Sequence, residues 1–128
     1  IDTTSLFKDN KEFEEELKKI EKDIEEISKY NEKIMNGDNL YQVFSLDEKL
    51  SRRILRLYTY AHMNNDFDLS VGTYNEYVAK VLFVYNKYAS LSSYIVPELL
   101  QNDYEEIKKR VKEIYKERYY YNSCSKNR

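Results

Sequence analysis

The stretch FEEELKKIEKDIEEISKYNEKI, residues 13–34, decides the fold. Its apolar residues Phe13, Leu17, Ile20, Ile24, Ile27 and Ile34 recur at alternating spacings of four and three, and the series breaks only at Asn31, where the next apolar residue would fall. Such a pattern is an amphipathic helix with a narrow apolar seam. Asp9 followed by Glu12 has capping-box spacing for its start, and Asn36 with Gly37 supplies a stop, because glycine can take the left-handed conformation that closes a helix. The first helix is predicted over about 10–36. A near-heptad seam also suits a coiled-coil dimer, but this one lasts only about three heptads. A second amphipathic helix follows a short Gly-Asp turn, so the pattern favours an antiparallel helical hairpin.

Composition extends that reading to the whole chain. With 128 residues and 41% hydrophobic content, a single domain over 1–128 is expected, one that buries roughly two-thirds of its unfolded surface. Two glycines and one proline leave few punctuation points for a sandwich or barrel. The expected class is all-α, about four antiparallel helices in a bundle or array, kinked or broken at Pro97. The formal net charge is -2 and both signs are mixed, so no basic field for nucleic acid runs along the chain. Basic clusters at Arg52, Arg53 and Arg56 and from Lys108 to Arg118 are interrupted by carboxylates or apolar residues, and read as solvated helix faces. No apolar run approaches the roughly 20 residues of a membrane helix, and no signal-peptide pattern opens the chain. One cysteine, Cys124, excludes a disulfide framework or zinc cluster within one chain and fits a reducing, cytoplasmic compartment. The start at Ile1 in place of methionine suggests that residues have been removed or left out.

Three further helices follow. The second, about 39–64, begins near Asn39 or a turn or two later, where Ser45 and Glu48 have capping-box spacing; it stacks Leu50, Ile54, Leu57, Tyr58 and Ala61 on one face, whereas Tyr60 and Met63 point away from that stripe and call for a second cover. The third, about 70–96 with Ser70 as its cap, carries a broad stripe from Val71, Tyr74, Val78, Val81, Leu82, Tyr85, Tyr88, Ala89 and Ser92. Phe83, Leu91 and Tyr94 lie round its back. Pro97 is expected to end it near Val96 through its ring and its missing N–H. The fourth, about 104–121, follows a capping box at Asp103 and Glu106, with Tyr104, Ile107, Val111, Ile114 and Tyr115 as its inner face. Residues 122–128 are expected to fray.

Little in the chain suggests chemistry. A helical zinc site uses two histidines four apart with a glutamate between them, and His62 is the only histidine. In LYTYAHMNND, residues 57–66, His62 reads as a packing residue beside Leu55 and Tyr58, with Asp66 in reach of the ring. Cys124 has neither a histidine base nor a structured elbow around it. Adjacent glutamates such as Glu14 with Glu15 and Glu105 with Glu106 diverge on a helix and face solvent, so they make poor acid/base pairs. Two glycines far apart cannot form a phosphate loop. The fourteen tyrosines, at helical spacing, suit core and interface.

SLFKDNKEFEEELKKIEKDIEEI (5–27), NLYQVFSLDEKLSRRILRLYTYAHMNNDFDLSVGTYNEYVAKV (39–81) and SSYIVPELL (92–100), in that order and spacing, resemble the amino-terminal helical region of oligoendopeptidase F. That is a family of zinc metallopeptidases in the thimet oligopeptidase group. The similarity covers about residues 2–121, and LYTYAH with its Asp-rich turn is the most specific part. The resemblance implies a helical wall or lid of a channel in which a separate carboxy-terminal domain cuts short peptides. The family's HExxH helix and glutamate ligand lie beyond where this chain stops, so no catalytic, cofactor or metal residue carries over, and zinc is expected only in a parent enzyme. The implied partners are that catalytic domain and, in the full-length enzyme alone, short peptides. Neither nucleic acid nor membrane is expected, and a homodimer of the isolated domain is a further expectation. Tyr60, Met63, Phe83, Leu91 and Tyr94 are the candidate interface residues. The alternative is a stand-alone helical interaction module without enzymatic activity.

Overall fold

Asp9 opens the first helix as its spacing requires, its carboxylate accepting the Glu12 N–H at 2.9 Å. From there α1 runs Asn10–Asp23 and buries Phe13, Leu17 and Ile20. The computed structural model describes residues 6–63 and 71–126, and every regular element among them is helical.

The helix predicted to reach residue 36 changes character at Ile24, and a 3₁₀ segment, Ile24–Tyr30, takes over. The reason lies in the seam. At 100° per residue an α-helix would turn Asn31 onto the face of Ile24 and Ile27, but at three residues per turn Ile24, Ile27 and Tyr30 line up instead. Ile24 and Ile27 are fully buried, Tyr30 packs partly against the core, and Asn31 faces solvent. Tighter winding thus replaces an amide with an aromatic ring. Successive turns then carry the chain to α2, with Glu32 in the left-handed region at φ 66° and Gly37 at φ 52°.

α2 (Asn39–Met63) starts at the earlier of the two expected points, not at the Ser45–Glu48 capping box. α3 (Val71–Leu91) ends earlier than predicted, and a separate short helix, α4 (Ile95–Leu100), contains Pro97. Pro97 therefore does not terminate the third helix. It sits in the first turn of α4, where N–H groups lack intrahelical partners anyway. α5 (Tyr104–Lys126) extends past the predicted end at Tyr121, and its backbone includes most of the segment expected to fray. The predicted Ser70 cap and Asp66 lie outside the described residues.

Cross-helix bonds fix an up-down-up arrangement of α1, α2 and α3. Tyr60 reaches Asn10, and Arg53 reaches Asp23, so α1 and α2 are antiparallel. Tyr88 donates to Asp47, which makes α2 and α3 antiparallel too. Between the three helices lies one core, including Phe13, Ile20, Ile24, Leu50, Leu57, Val81 and Val84. Each such side chain contributes about 1.5–3 kcal/mol when withdrawn from water. Phe7, ahead of α1, closes one end by meeting Phe13 edge-on at 5.8 Å and Tyr60 at 5.3 Å. α4 and α5 are added outside this bundle, with Ile95 and Ile114 reaching into it.

α4 is tied down by charge. The Glu98 carboxylate accepts the backbone N–H of Glu32 and, at 2.9 Å, that of Ile34, which fastens α4 to the turn after the 3₁₀ segment.

Candidate interaction face

The charged residues nearest the core are occupied in holding the bundle together. Arg53 is only 19% exposed and bridges Glu16 at 2.6 Å and Asp23 at 2.8 Å, both on α1. Its guanidinium pKa is raised: burial opposes this, but the hydrogen bonds and charges of the two carboxylates prevail. Arg56 donates to the Leu6 carbonyl at 2.6 Å and lies 4.9 Å over the Phe7 ring. Of the three arginines read as a solvated face, Arg52 and Arg56 are exposed, Arg52 pairing with Glu48, and Arg53 alone is drawn in. The sequence showed three positive charges on one helix flank. It could not show that α1 brings two carboxylates to the middle one.

The five candidate interface residues do not make one face. Tyr60 is buried at 4% exposure, stacked on Phe13 at 5.0 Å, with its hydroxyl donating to Asn10 at 2.8 Å. Its expected exposure is corrected: Phe7 and the start of α1 supply the second cover that the wheel of α2 called for. Tyr94 is half-buried and donates to the Ile27 carbonyl. Leu91 packs partly against the core as well. Met63 is half-exposed at the end of α2. Phe83, 61% exposed, faces outward on the flank shared by α1 and α3, near Glu14, Lys18 and Glu21.

The open face lies elsewhere. A groove of about 660 Å³ runs between α2 and α3, lined by Ile54, Leu55, Tyr58, Leu82, Tyr85 and Ala89 among others, with no charged side chain in its walls. Leu55, Tyr58, Leu82 and Tyr85 are all exposed. Its position follows from how the two helices are rotated. On α3 the buried line is Tyr77, Val81, Val84 and Tyr88, which turns Leu82, Tyr85 and Ala89 outward. The predicted stripe had omitted Tyr77 and Val84 and placed its centre too far round. On α2 the core lies towards Tyr60, leaving Tyr58 at the groove. Leu55, Tyr58 and His62 on α2, and Leu82, Tyr85 and Ala89 on α3, each repeat at intervals of three and four, a signal present in the sequence but assigned there to burial.

His62 is exposed, with its ring 4.2 Å from that of Tyr58 at the groove margin. α5 is open too. Tyr104, Val111 and Tyr115, predicted to face inward, are exposed, and Ile114 alone of the predicted inner face is buried.

Among the described residues, Tyr77, Tyr94 and Tyr88 have acidities altered by the fold. Burial, then the charge and hydrogen bond of Glu14, push Tyr77 up to about 12. Burial, then the charges of Glu98 and Tyr30, push Tyr94 up to about 12. Tyr88 is raised by burial and by its bond to Asp47. These are neutral phenols anchoring helices, Tyr77 to Glu14 on α1 and Tyr88 to Asp47 on α2. Among the described residues no three His, Cys, Asp or Glu side chains are grouped to hold a metal ion, and no helix is long and apolar enough to cross a membrane.

Fold and surface thus define a class: an all-α unit with an unfilled apolar groove. Comparison with known proteins is more specific. The chain is 30% identical over 109 residues to oligopeptidase PepF of Bacillus subtilis, a match covering 84% of this chain and 16% of the relative. It is 31% identical over 108 residues to group B oligopeptidase PepB of Streptococcus agalactiae, covering 81% and 18%. The plasmid oligoendopeptidase F of Lactococcus lactis subsp. cremoris is 29% identical over 118 residues, covering 90% and 20%. The chain is a homologue of part of oligoendopeptidase F. It spans between about a sixth and a fifth of the length of these relatives. No protein-family model and no solved structure matches it.

Proposed function

We propose that this chain is the non-catalytic amino-terminal domain of an oligoendopeptidase F-like zinc metalloendopeptidase, where it helps to enclose the channel that admits peptide substrates. The supporting observation is one of coverage: most of this chain, 81–90%, aligns with a stretch that is only 16–20% of each of three relatives named as oligopeptidases. In such a parent enzyme the zinc would belong to the carboxy-terminal catalytic domain. The chain's own part is mechanical. Arg53, Glu98 and the Phe7–Phe13–Tyr60 cluster stiffen the bundle into a wall, and Phe83 and Met63 present apolar surface towards the catalytic domain.

Two measurements test this reading. Purified chain with added zinc should leave internally quenched oligopeptides intact, and turnover that co-purifies with it would refute the non-catalytic assignment. The coding sequence beyond residue 128 should contain an HExxH. A stop codon there would favour the second reading, a free-standing helical interaction module, which the open groove between α2 and α3 also supports.

A further inference from the structure

We infer that two copies of this 128-residue chain pair reciprocally, each seating the exposed tyrosine stripe of its α5 in the α2–α3 groove of the other. This goes beyond the proposed role in a parent enzyme and concerns the chain itself.

One molecule carries both halves of the contact. Tyr104, Val111 and Tyr115 fall within about 40° of a single line on α5. They are 71%, 48% and 73% exposed, because α5 turns a different edge, that of Ile114, to its own bundle. The stripe extends about 16 Å at 1.5 Å per residue, and the α3 wall of the groove, from Val81 to Ser92, has the same length. The groove walls carry no charge but do carry hydroxyls, from Tyr58, Tyr85, Ser51 and Ser92, which suits a partner of tyrosines and valine.

The area suffices for a closed pair. Three stripe residues and four exposed groove residues would bury on the order of 600 Å² per copy, counting a full aromatic side chain as about 150–250 Å² and discounting for partial exposure. The reciprocal contact doubles this to about 1,200 Å², the lower bound of a stable interface. One contact alone buries about half of that and holds more weakly, and the two together make the stable pair.

Sedimentation velocity of the full chain across the micromolar range tests the inference, with circular dichroism confirming that each variant remains helical. The expected result is a monomer–dimer equilibrium. Val111→Glu on the stripe and Leu82→Glu in the groove should each weaken dimerisation on the order of thirty-fold, as expected for losing a residue from a buried contact. Phe83→Glu, at a more exposed position outside both surfaces, should leave it unchanged. The decisive experiment mixes the two damaged variants. Each retains the surface the other lacks, so one intact contact re-forms and heterodimers should appear more strongly than either homodimer. A chain that stays monomeric, a dimer insensitive to Val111→Glu, or failure of the mixed variants to associate better than each alone would overturn the inference.

Discussion

Removing the Glu98 carboxylate should destabilise the chain far more than its position on a six-residue surface helix suggests. Glu98 accepts the N–H groups of Glu32 and Ile34, which belong to the turn that follows the 3₁₀ segment. Hydrogen bonds to a charged group contribute about 1.5–3 kcal/mol each when water cannot replace them. The Glu32 N–H is exposed and can be rehydrated, whereas that of Ile34 is partly buried and adjoins a side chain with 1% exposure. Glu98→Ala should therefore cost about 2–3 kcal/mol, and Glu98→Gln, which retains one acceptor oxygen, about half that. In urea, with a slope of about 1–3 kcal/mol per molar for a chain of this size, the alanine variant should unfold at a midpoint lower by about 1–2 M. Glu32→Gly offers the converse perturbation, because a non-glycine residue in the left-handed region costs about 1–2 kcal/mol that glycine does not incur. It should raise the midpoint in both the parent and the Glu98→Ala background. A midpoint for Glu98→Ala within about 0.3 M of the parent, or a glutamine variant as damaged as the alanine one, would refute this account of how α4 is attached.

Phe13→Ala should lower stability by about 3–5 kcal/mol in the same assay, since Phe13 has 0% exposure and meets Phe7, Tyr60 and Tyr77 together. Asn31→Leu should make continued α-helix competitive with the 3₁₀ segment, by giving the α-helical seam the apolar residue it lacks; backbone chemical shifts over Ile24–Asn31 should move towards α-helical values. Absorbance titration should show tyrosines that ionise late, with Tyr77 and Tyr94 near 12. Their pKa values in the folded chain lie above the ordinary value near 10, so the stability they confer is fully present below pH 10 and is lost as pH rises through 12. A chain that keeps its native circular dichroism while all its tyrosines titrate near pH 10 would contradict their burial.

Residues whose environment is set by their own helix were legible in the sequence. The Asp9 cap and the seam from Phe13 to Ile27 follow from spacing and capping chemistry alone, whereas the capping-box spacing of Ser45 and Glu48 does not mark the start of α2. Residues set by a neighbour were less so. The wheel of α2 placed Tyr58 in the stripe and Tyr60 away from it, yet Tyr60 is the one covered and Tyr58 is exposed. The choice was made by Phe7, outside any helix, and by Arg56, which holds the Leu6 carbonyl. Asn31 marked the place where the seam fails, but whether the chain would bury the amide or rewind to avoid it depended on Tyr30 being available one position earlier. Glu98 was illegible for a related reason: its partners lie more than 60 positions away. The interaction face shared that fate, since a groove between two helices depends on how both are rotated.

The slight anchorage of α5 divides the chain into two cooperative units. Its main contact with the bundle is through α2, and of its described side chains Ile114 alone is buried. α1, α2 and α3 should open only with global unfolding, so their slowest amides report the stability of the whole. α5 can detach at a fraction of that cost, and its amides should exchange by a separate, lower-energy opening. Whatever covers the Tyr104–Tyr115 stripe would therefore register first as slowed exchange along α5, with the bundle's own unfolding free energy almost untouched.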